Sequence, residues 1–116
     1  MKVEEFKTKF KEGDILVSRA WVFIYAGLRP SNLYGGRNQA IVYHALVHMD
    51  KLCEITIQTR TGIGYVEGND FRLATNKEKK YLFNELEKKH LRWNPEEKSL
   101  EYIGPVYTYD DVELPF

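Results

Sequence analysis

The stretch from Thr75 to Tyr102, TNKEKKYLFNELEKKHLRWNPEEKSLEY, decides the fold of this chain. It opens with a capping box, because the Thr75 hydroxyl can accept a hydrogen bond from the backbone N–H of Glu78 while the Glu78 carboxylate accepts one from the backbone N–H of Thr75. Behind the box, apolar residues recur at helical spacing on one face, and Lys and Glu fill the other. The stretch therefore predicts an amphipathic helix whose packing face holds Leu82, Phe83 and Leu86.

After Lys89 the hydrophobic period changes from that of a helix to that of a strand. Residues 91–93 and 100–102 alternate apolar and polar side chains, and the turn-forming run Asn-Pro-Glu-Glu at 94–97 lies between them. The change of period predicts that the helix ends here and that a β-hairpin follows at once.

This unit carries a resemblance. The run LATNKEKKYLFNELEKKHLRWNPEEKSLE at 73–101 resembles a recurring segment of small uncharacterised proteins of gut-bacterial phages and mobile elements, in which a Lys/Glu-rich capped helix precedes a Trp-containing hairpin. The runs KFKEGDILVS at 9–18 and VFIYAG at 22–27 are similar to the opening strands of those proteins. Those proteins usually carry the glycine that ends the helix where this chain has His90, and His adopts a positive φ more readily than most residues. The resemblance implies a shared fold unit and a mobile-DNA setting, and it implies no particular activity.

Length and composition set the outer limits. A chain of 116 residues with 43% apolar content can bury a core without a metal or a disulfide. The single cysteine, Cys53, excludes a disulfide framework and a multi-cysteine zinc site, and it fits a reducing compartment. The first residues lack the apolar stretch of a signal peptide, and the longest apolar run, Ala20–Ala26, is far shorter than a membrane helix requires. We expect a cytoplasmic protein with one domain at 1–104 and an acidic-aromatic tail at 105–116.

Charge is balanced overall but uneven along the chain. Residues 1–60 hold nine Lys/Arg against six Asp/Glu, and residues 61–116 hold eight against eleven. No acidic residue occurs between Ile15 and Met49, a stretch that contains three arginines and two histidines. This arrangement predicts a local positive surface on a neutral protein.

The first quarter of the chain predicts a short helix followed by strands. Residues 1–11 are charged and place Phe6 and Phe10 one helical turn apart, where both can dock on the body. A turn at Glu12-Gly13-Asp14 leads into apolar residues. The segment Ile15–Tyr25 is either one long bent strand or a hairpin that reverses through Ser18-Arg19-Ala20, and the sequence leaves both open.

The middle of the chain predicts a long loop and a second hairpin. Gly27–Gln39 is rich in Gly, Pro, Ser and Asn and is expected to be an exposed loop. Ala40–His48 fits a strand better than a short helix, because one three-residue turn at Met49–Lys51 would pair its apolar residues with those that follow the turn. The expected pairs are Val47 with Cys53, Ala45 with Ile55 and Tyr43 with Ile57 on one face, and Leu46 with Glu54 and His44 with Thr56 on the other. A short strand is possible at Ile63–Val66.

The fold class predicted is α+β, with a small antiparallel β-barrel or sheet, one principal α-helix and a closing β-hairpin. If Ile15–Tyr25 is one bent strand, the order matches an oligonucleotide-binding (OB-like) barrel, with Gly27–Gln39 and Asn94–Ser99 as its two ligand loops. If it is a hairpin, the strands form a small antiparallel sheet packed on the helix.

Catalytic constellations are sparse. His44 and His48 on one strand would lie roughly 13 Å apart, too far to share a metal, and are expected to be partly exposed surface residues. Cys53 has no neighbouring base and is expected to be a buried, inert thiol, while Asp14 is expected to form a turn. Phosphate-loop, dinucleotide and nucleophile-elbow spacings are missing. We therefore expect no catalytic residue, metal or cofactor, and a protein that is not an enzyme.

The glycine-rich loop is the first candidate binding site. Arg29 and Arg37 can neutralise phosphates and Tyr34 can stack on a base, so the loop predicts binding of single-stranded DNA. Arg92 joins them from the second loop if the OB-like arrangement holds. The rival interpretation is a protein- or ligand-binding accessory module that blocks a host factor without binding nucleic acid, which zero net charge favours.

The C-terminus is the second candidate. Clustered acids followed by an aliphatic residue, proline and phenylalanine resemble the acidic tip of bacterial single-stranded-DNA-binding proteins, which implies docking on replication, recombination and repair proteins. An aromatic side chain can fill an apolar pocket while the acids steer the segment toward a positive rim. Alternatively, Val106, Tyr107 and Tyr109 form a last strand that packs on the sheet. The residues expected to contact the partner are Asp110, Asp111, Glu113, Leu114, Pro115 and Phe116.

Overall fold

The computed structural model describes residues 1–30, 39–50, 56–57 and 64–103. These residues form an α+β fold whose strand pairs are antiparallel. The expectations for Tyr34, Arg37, Cys53 and the tail 105–116 lie outside the described residues. The elements are α1 (Val3–Lys9), β1 (Ile15–Ser18), β2 (Trp21–Pro30), β3 (Gln39–His48), β4 (Thr56–Ile57), β5 (Arg72–Leu73), α2 (Asn76–Lys88), β6 (Leu91–Asn94) and β7 (Ser99–Tyr102).

The main sheet has the strand order β4-β3-β2-β1-β5, and β6 and β7 form a separate two-stranded sheet. Strands β1 and β2 form a hairpin in which Ser18 pairs with Trp21, and Arg19 in the turn has a φ of 56°. A two-residue hairpin turn requires such a positive φ to match the twist of its strands. The single bent strand required by the OB-like mapping is therefore wrong, and the hairpin is confirmed.

Strands β2 and β3 pair along their whole length, from Trp21 opposite His48 to Pro30 opposite Gln39. The long loop predicted at Gly27–Gln39 is therefore wrong at both ends, because residues 27–30 and 39 belong to strands. Gly27 has a φ of 121° at a point where the strand is irregular, which is a common use of glycine in a strand. Pro30 is the last residue of β2, where a missing N–H interrupts the pairing least.

Two β-bulges interrupt the β2–β3 pairing. From the pair Phe23–Leu46 to the pair Tyr25–Tyr43, β3 uses three residues and β2 uses two, so the extra residue is in β3. From there to the pair Gly27–Val42, β2 uses two residues and β3 uses one, so the extra residue is in β2. Each strand thus carries one extra residue, and the second restores the register that the first shifts. A bulge exchanges the faces to which later side chains point, so Tyr43 packs on one face of the sheet and Ala45 on the other. The single apolar face predicted for these two residues is wrong.

The main sheet is covered on both faces. The first cluster, on one face, consists of Val3, Phe6, Phe10, Leu16, Phe23, Tyr25, Ile41, Tyr43, Leu46, Val66 and Phe71. Helix α1 packs in it through Phe6, which is fully buried among Phe10, Tyr25 and Phe71. This confirms the predicted helix and the docking of both phenylalanines. The second cluster, on the other face, consists of Ile15, Val17, Val22, Ile24, Ala45, Val47, Ala74, Leu82, Leu86 and Trp93. Helix α2 packs in it through Leu82 and Leu86, and β6 contributes Trp93.

Strand β4 pairs with β3 in a register displaced by two residues from the one predicted. Ala45 lies opposite Ile57 and Leu46 opposite Thr56, so the expected partner of Ala45, Ile55, is wrong. A slip of two residues preserves side-chain alternation, so the hydrophobic pattern of β4 does not distinguish the two registers. The strand predicted at Ile63–Val66 is reduced, within the described residues, to a single bridge between Ala40 and Tyr65.

The helix and hairpin match their prediction. Thr75 Oγ1 accepts a hydrogen bond from the Glu78 N–H at 3.3 Å, and Glu78 Oε1 accepts one from the Thr75 N–H at 2.8 Å. His90 has a φ of 60°, as expected for the residue after the helix. Strands β6 and β7 then pair from Leu91 opposite Tyr102 to Asn94 opposite Ser99. Among the described helices, none is long and apolar enough to cross a membrane.

Candidate functional site

Arg29 lies at the end of the ribbon that β2 and β3 form. It is exposed and pairs through its backbone with Ala40, next to the closing pair of Pro30 with Gln39. Residues 31–38, which include Tyr34 and Arg37, connect these paired ends in sequence. The described part of the acid-free stretch carries a second arginine, Arg19, in the β1–β2 turn at the opposite end of β2.

A carboxylate from the connection between α1 and β1 lies against the ribbon near this end. A Cβ placed on Gly27 would lie 2.9 Å from Glu12 Oε1, so the Glu12 carboxylate lies against the ribbon there. Residues 27 and 29 are two apart on a strand and point toward the same face. Glu12 therefore reduces the positive potential around Arg29, although the sequence between Ile15 and Met49 contains no acid.

His44 adds no positive charge to the ribbon at neutral pH. Its ring packs on Trp93 with centroids 5.0 Å apart, and desolvation by burial lowers its pKa below 6.5, against a smaller opposing effect of Glu12. Burial, with Glu12 as the second cause, raises the pKa of Tyr25 to about 12, so this phenol is also neutral. The arginines supply the permanent positive charge of this stretch.

The two histidines of β3 lie in different surroundings and not on one face as predicted. The partial exposure predicted for both holds for His44, which is half-buried, but not for His48. His48 is buried; its ring meets the edge of Trp21 at 4.6 Å, and its Nδ1 accepts a hydrogen bond from the Asp50 N–H at 3.1 Å. Trp21 packs on the first cluster and Trp93 belongs to the second. The bulge at residues 44–45 thus separates the two imidazoles.

Arg92 is held by an ion pair within the second sheet. Its guanidinium donates to Glu101 Oε2 at 2.7 Å, and Asn94 Nδ2 donates to the other carboxylate oxygen at 2.6 Å. The hydrogen bond from Arg92 is the main reason that the pKa of Glu101 lies below its usual value. Trp93 beside it is buried in the second cluster, so it offers no stacking surface. The expectation that Arg92 lies near the loop after β2 depended on the OB-like arrangement, which requires Ile15–Tyr25 to be one bent strand. Because this segment is a hairpin, that expectation has no support.

An apolar groove lies between α2 and the β6–β7 hairpin. Its volume is about 230 Å³, and an exposed apolar residue, Ile103, forms part of its wall with 44% of its surface accessible. The Ile103 N–H donates to the His90 carbonyl oxygen at 2.8 Å, which fixes the end of the groove. Glu87 and Arg92 supply its polar part. The remaining lining residues are Phe83, Leu86, Leu91 and Trp93.

Sequence reasoning identified the packing face of α2 but missed the groove. Phe83 was expected to pack with Leu82 and Leu86, yet it remains half-buried at the groove while the two leucines are buried. The available signal was an apolar residue, Ile103, directly after the last strand.

Within residues 1–30, 39–50, 56–57 and 64–103, no group of three or more His, Cys, Asp or Glu side chains is placed to hold a metal ion.

The described residues therefore present two candidate surfaces, the end of the β2–β3 ribbon at Arg29 and the groove beside α2. Tyr34, Arg37 and the residues predicted to contact a partner through the tail lie outside the described part of the chain. Comparison of this chain with protein-family models, with curated proteins and with solved structures gives no match.

Proposed function

We propose that this chain is a non-enzymatic binding protein of mobile-DNA origin that binds single-stranded DNA at the end of the β2–β3 ribbon. One observation carries the proposal: β2 and β3 remain paired as far as Pro30 and Gln39, so exposed Arg29 lies at the end of a continuous ribbon. Residues 31–38, which include Tyr34 and Arg37, connect the two strands in sequence. The proposal does not require a closed OB-like barrel.

The proposed binding uses two interactions, neutralisation of phosphates and stacking on bases. Arginine side chains neutralise backbone phosphates, and an aromatic side chain stacks on any base, so the expected binding is sequence-tolerant and salt-sensitive. Two arginines on a protein of zero net charge, with Glu12 nearby, imply weak binding. Arg92 contributes only where a phosphate replaces Glu101 as its partner.

The test measures fluorescence anisotropy of a labelled dT oligomer at several salt concentrations. Arg29→Ala with Arg37→Ala should weaken binding and reduce the salt slope by about 0.7 for each lost phosphate contact. Glu12→Gln should strengthen binding, because it removes the carboxylate that opposes Arg29. Lys9→Ala is the matched control, since it removes one positive charge from α1 and should change affinity little. No binding of the parent protein at low salt would refute the proposal.

We further propose that the C-terminal residues dock on replication, recombination or repair proteins. The acids Asp110, Asp111 and Glu113 precede Leu114, Pro115 and Phe116, which suits an apolar pocket with a positive rim. Deleting residues 114–116 should abolish binding to a host protein that recognises such acidic tips, and should leave folding and oligonucleotide affinity unchanged. A peptide of residues 107–116 should compete for the same pocket, and its failure to compete would contradict the docking.

A protein-binding accessory module is the second candidate function, and the groove beside α2 favours it. An open apolar groove with few polar groups suits a peptide better than a phosphate backbone. Recovery of partners from a host lysate, with and without nuclease, separates the two candidates. Nuclease-resistant partners support the module, and nuclease-sensitive recovery supports nucleic acid.

A further inference from the structure

The groove beside α2 lies where the described chain ends. Ile103 forms part of its wall and is anchored by the hydrogen bond from its N–H to the His90 carbonyl oxygen. Residue 104 therefore starts at the groove edge. A polypeptide extends by roughly 3.3 Å per residue, so residues 104–116 can span about 40 Å, whereas a 13-residue helix such as α2 is only about 20 Å long. The segment can reach every part of the groove.

The composition of residues 104–116 complements the groove and its surroundings. The segment holds three acidic residues and no Lys or Arg, interspersed with aromatic and aliphatic residues. The groove floor is apolar, and Lys79 and Lys80 lie one helical turn before Phe83, on the side of α2 that faces it. Of the acids of α2, Glu78 and Glu85 are paired with Arg72 and Lys88, whereas Glu87 lies in the groove wall, one turn after Phe83. Hydrophobicity therefore favours this occupant, and charge favours a placement with its acids toward Lys79 and Lys80 and away from Glu87.

We propose that the groove is the docking site of the chain's own residues 104–116, held in the same molecule. The aliphatic and aromatic side chains of the segment fill the space between Phe83, Leu91 and Ile103, and its acids lie toward Lys79 and Lys80. Docking in this way covers the exposed part of Ile103 and keeps the segment from binding elsewhere until a partner competes for it. The inference does not depend on nucleic-acid binding, and the experiment below needs neither DNA nor a host protein.

Paramagnetic relaxation in the full-length chain tests the docking. In a Cys53→Ser background, a nitroxide on Thr108→Cys should broaden the amide signals of Phe83, Leu86 and Trp93 several-fold more than those of β1. A mixed sample, in which the spin label and the ¹⁵N label are on different molecules, should show no such broadening. Broadening in the mixed sample would assign the groove to a second copy and overturn the proposal, as would equal broadening over α2 and β1.

Substitutions in the groove and in the segment provide the controls. Phe83→Lys should lower the docking equilibrium constant by about tenfold or more, since it removes a half-buried aromatic side chain from the contact. Leu73→Lys, at an exposed leucine of β5 outside the groove, should leave the broadening unchanged. Leu114→Ser with Phe116→Ser should reduce the broadening without altering the described elements, which keeps the test valid if Phe83→Lys fails to fold. Unchanged broadening in that double variant would contradict the proposal.

Discussion

At the scale of single residues, Glu78 joins the start of α2 to strand β5. Its carboxylate accepts hydrogen bonds from both terminal nitrogens of Arg72 at 2.7 Å and from the Thr75 N–H at 2.8 Å. These bonds, led by those from Arg72, lower the pKa of Glu78 to about 2 from an ordinary value of 4.5. Because the folded pKa is depressed, the stabilisation is complete above pH 4.5 and is lost as the pH falls toward 2.

Replacing Glu78 should therefore destabilise the protein most at neutral pH. Glu78→Gln should lower the free energy of unfolding by about 1–2 kcal/mol at pH 7, because one side of the capping box and the ion pair with a half-exposed Arg72 weaken together. Urea denaturation at pH 7, 4 and 2.5 should show the difference from the parent shrinking between pH 4.5 and 2. Glu85→Gln, which removes an exposed pair with Lys88, should cost much less. A difference that does not depend on pH would contradict the assignment.

At the scale of elements, the junction between α2 and β6 depends on His90. A non-glycine residue at a φ of 60° carries a conformational cost of about 1 kcal/mol that glycine avoids. His90→Gly should therefore raise the free energy of unfolding by about 0.5–1 kcal/mol. The gain is reduced by the loss of the contact between the His90 and Tyr102 rings, whose centroids lie 6.2 Å apart. Thermal denaturation followed by circular dichroism measures the change.

The neighbouring residue supplies the control for this prediction. Lys89 has a φ of −98°, which suits any residue, so Lys89→Gly relieves no strain and should destabilise by about 1 kcal/mol through backbone entropy. Opposite signs for His90→Gly and Lys89→Gly would establish that backbone conformation, and not the loss of a side chain, decides the effect. Destabilisation by both would contradict it.

Elements with local signals were predictable from the sequence, and those set by pairing partners were not. The capping box of Thr75 and the alternation in β6 and β7 act within a few residues, so α2 and the hairpin match their prediction. The bulge at residues 44–45 and the register of β4 depend on contacts between distant segments. The groove was missed for the same reason, since Phe83 and Ile103 meet only after the hairpin packs on α2.

At the scale of the whole molecule, two hydrophobic clusters share the same central strands. Residues of β2 contribute alternately to both, with Phe23 in the first cluster and Ile24 in the second. Loss of either cluster exposes one face of the same strands, so neither can be lost without weakening the other. This arrangement predicts one cooperative unfolding transition for the described fold.

Core truncations on the two faces test this cooperativity. Phe6→Ala should cost about 3–5 kcal/mol and Leu82→Ala about 2–5 kcal/mol, because both side chains are fully buried. In the Trp21→Phe variant the remaining Trp93 reports on the second cluster, and in the Trp93→Phe variant the remaining Trp21 reports on the first. The fluorescence of either tryptophan should give the same denaturation midpoint, both without a truncation and with each of the two. Leu73→Ala, at an exposed position, should change stability by less than about 0.5 kcal/mol. Separate midpoints for the two tryptophans would show that the clusters unfold independently.

The two bulges of the β2–β3 ribbon also bear on how such a chain can change during evolution. The extra residue in β3 shifts the pairing by one position, and the extra residue in β2 shifts it back before Pro30 meets Gln39. Deletion of one alone would turn the side chains beyond it to the opposite face and would misalign the two strands at the connecting segment. Homologous sequences should therefore gain or lose the two residues together, so that alignment gaps in β2 and β3 occur as a pair.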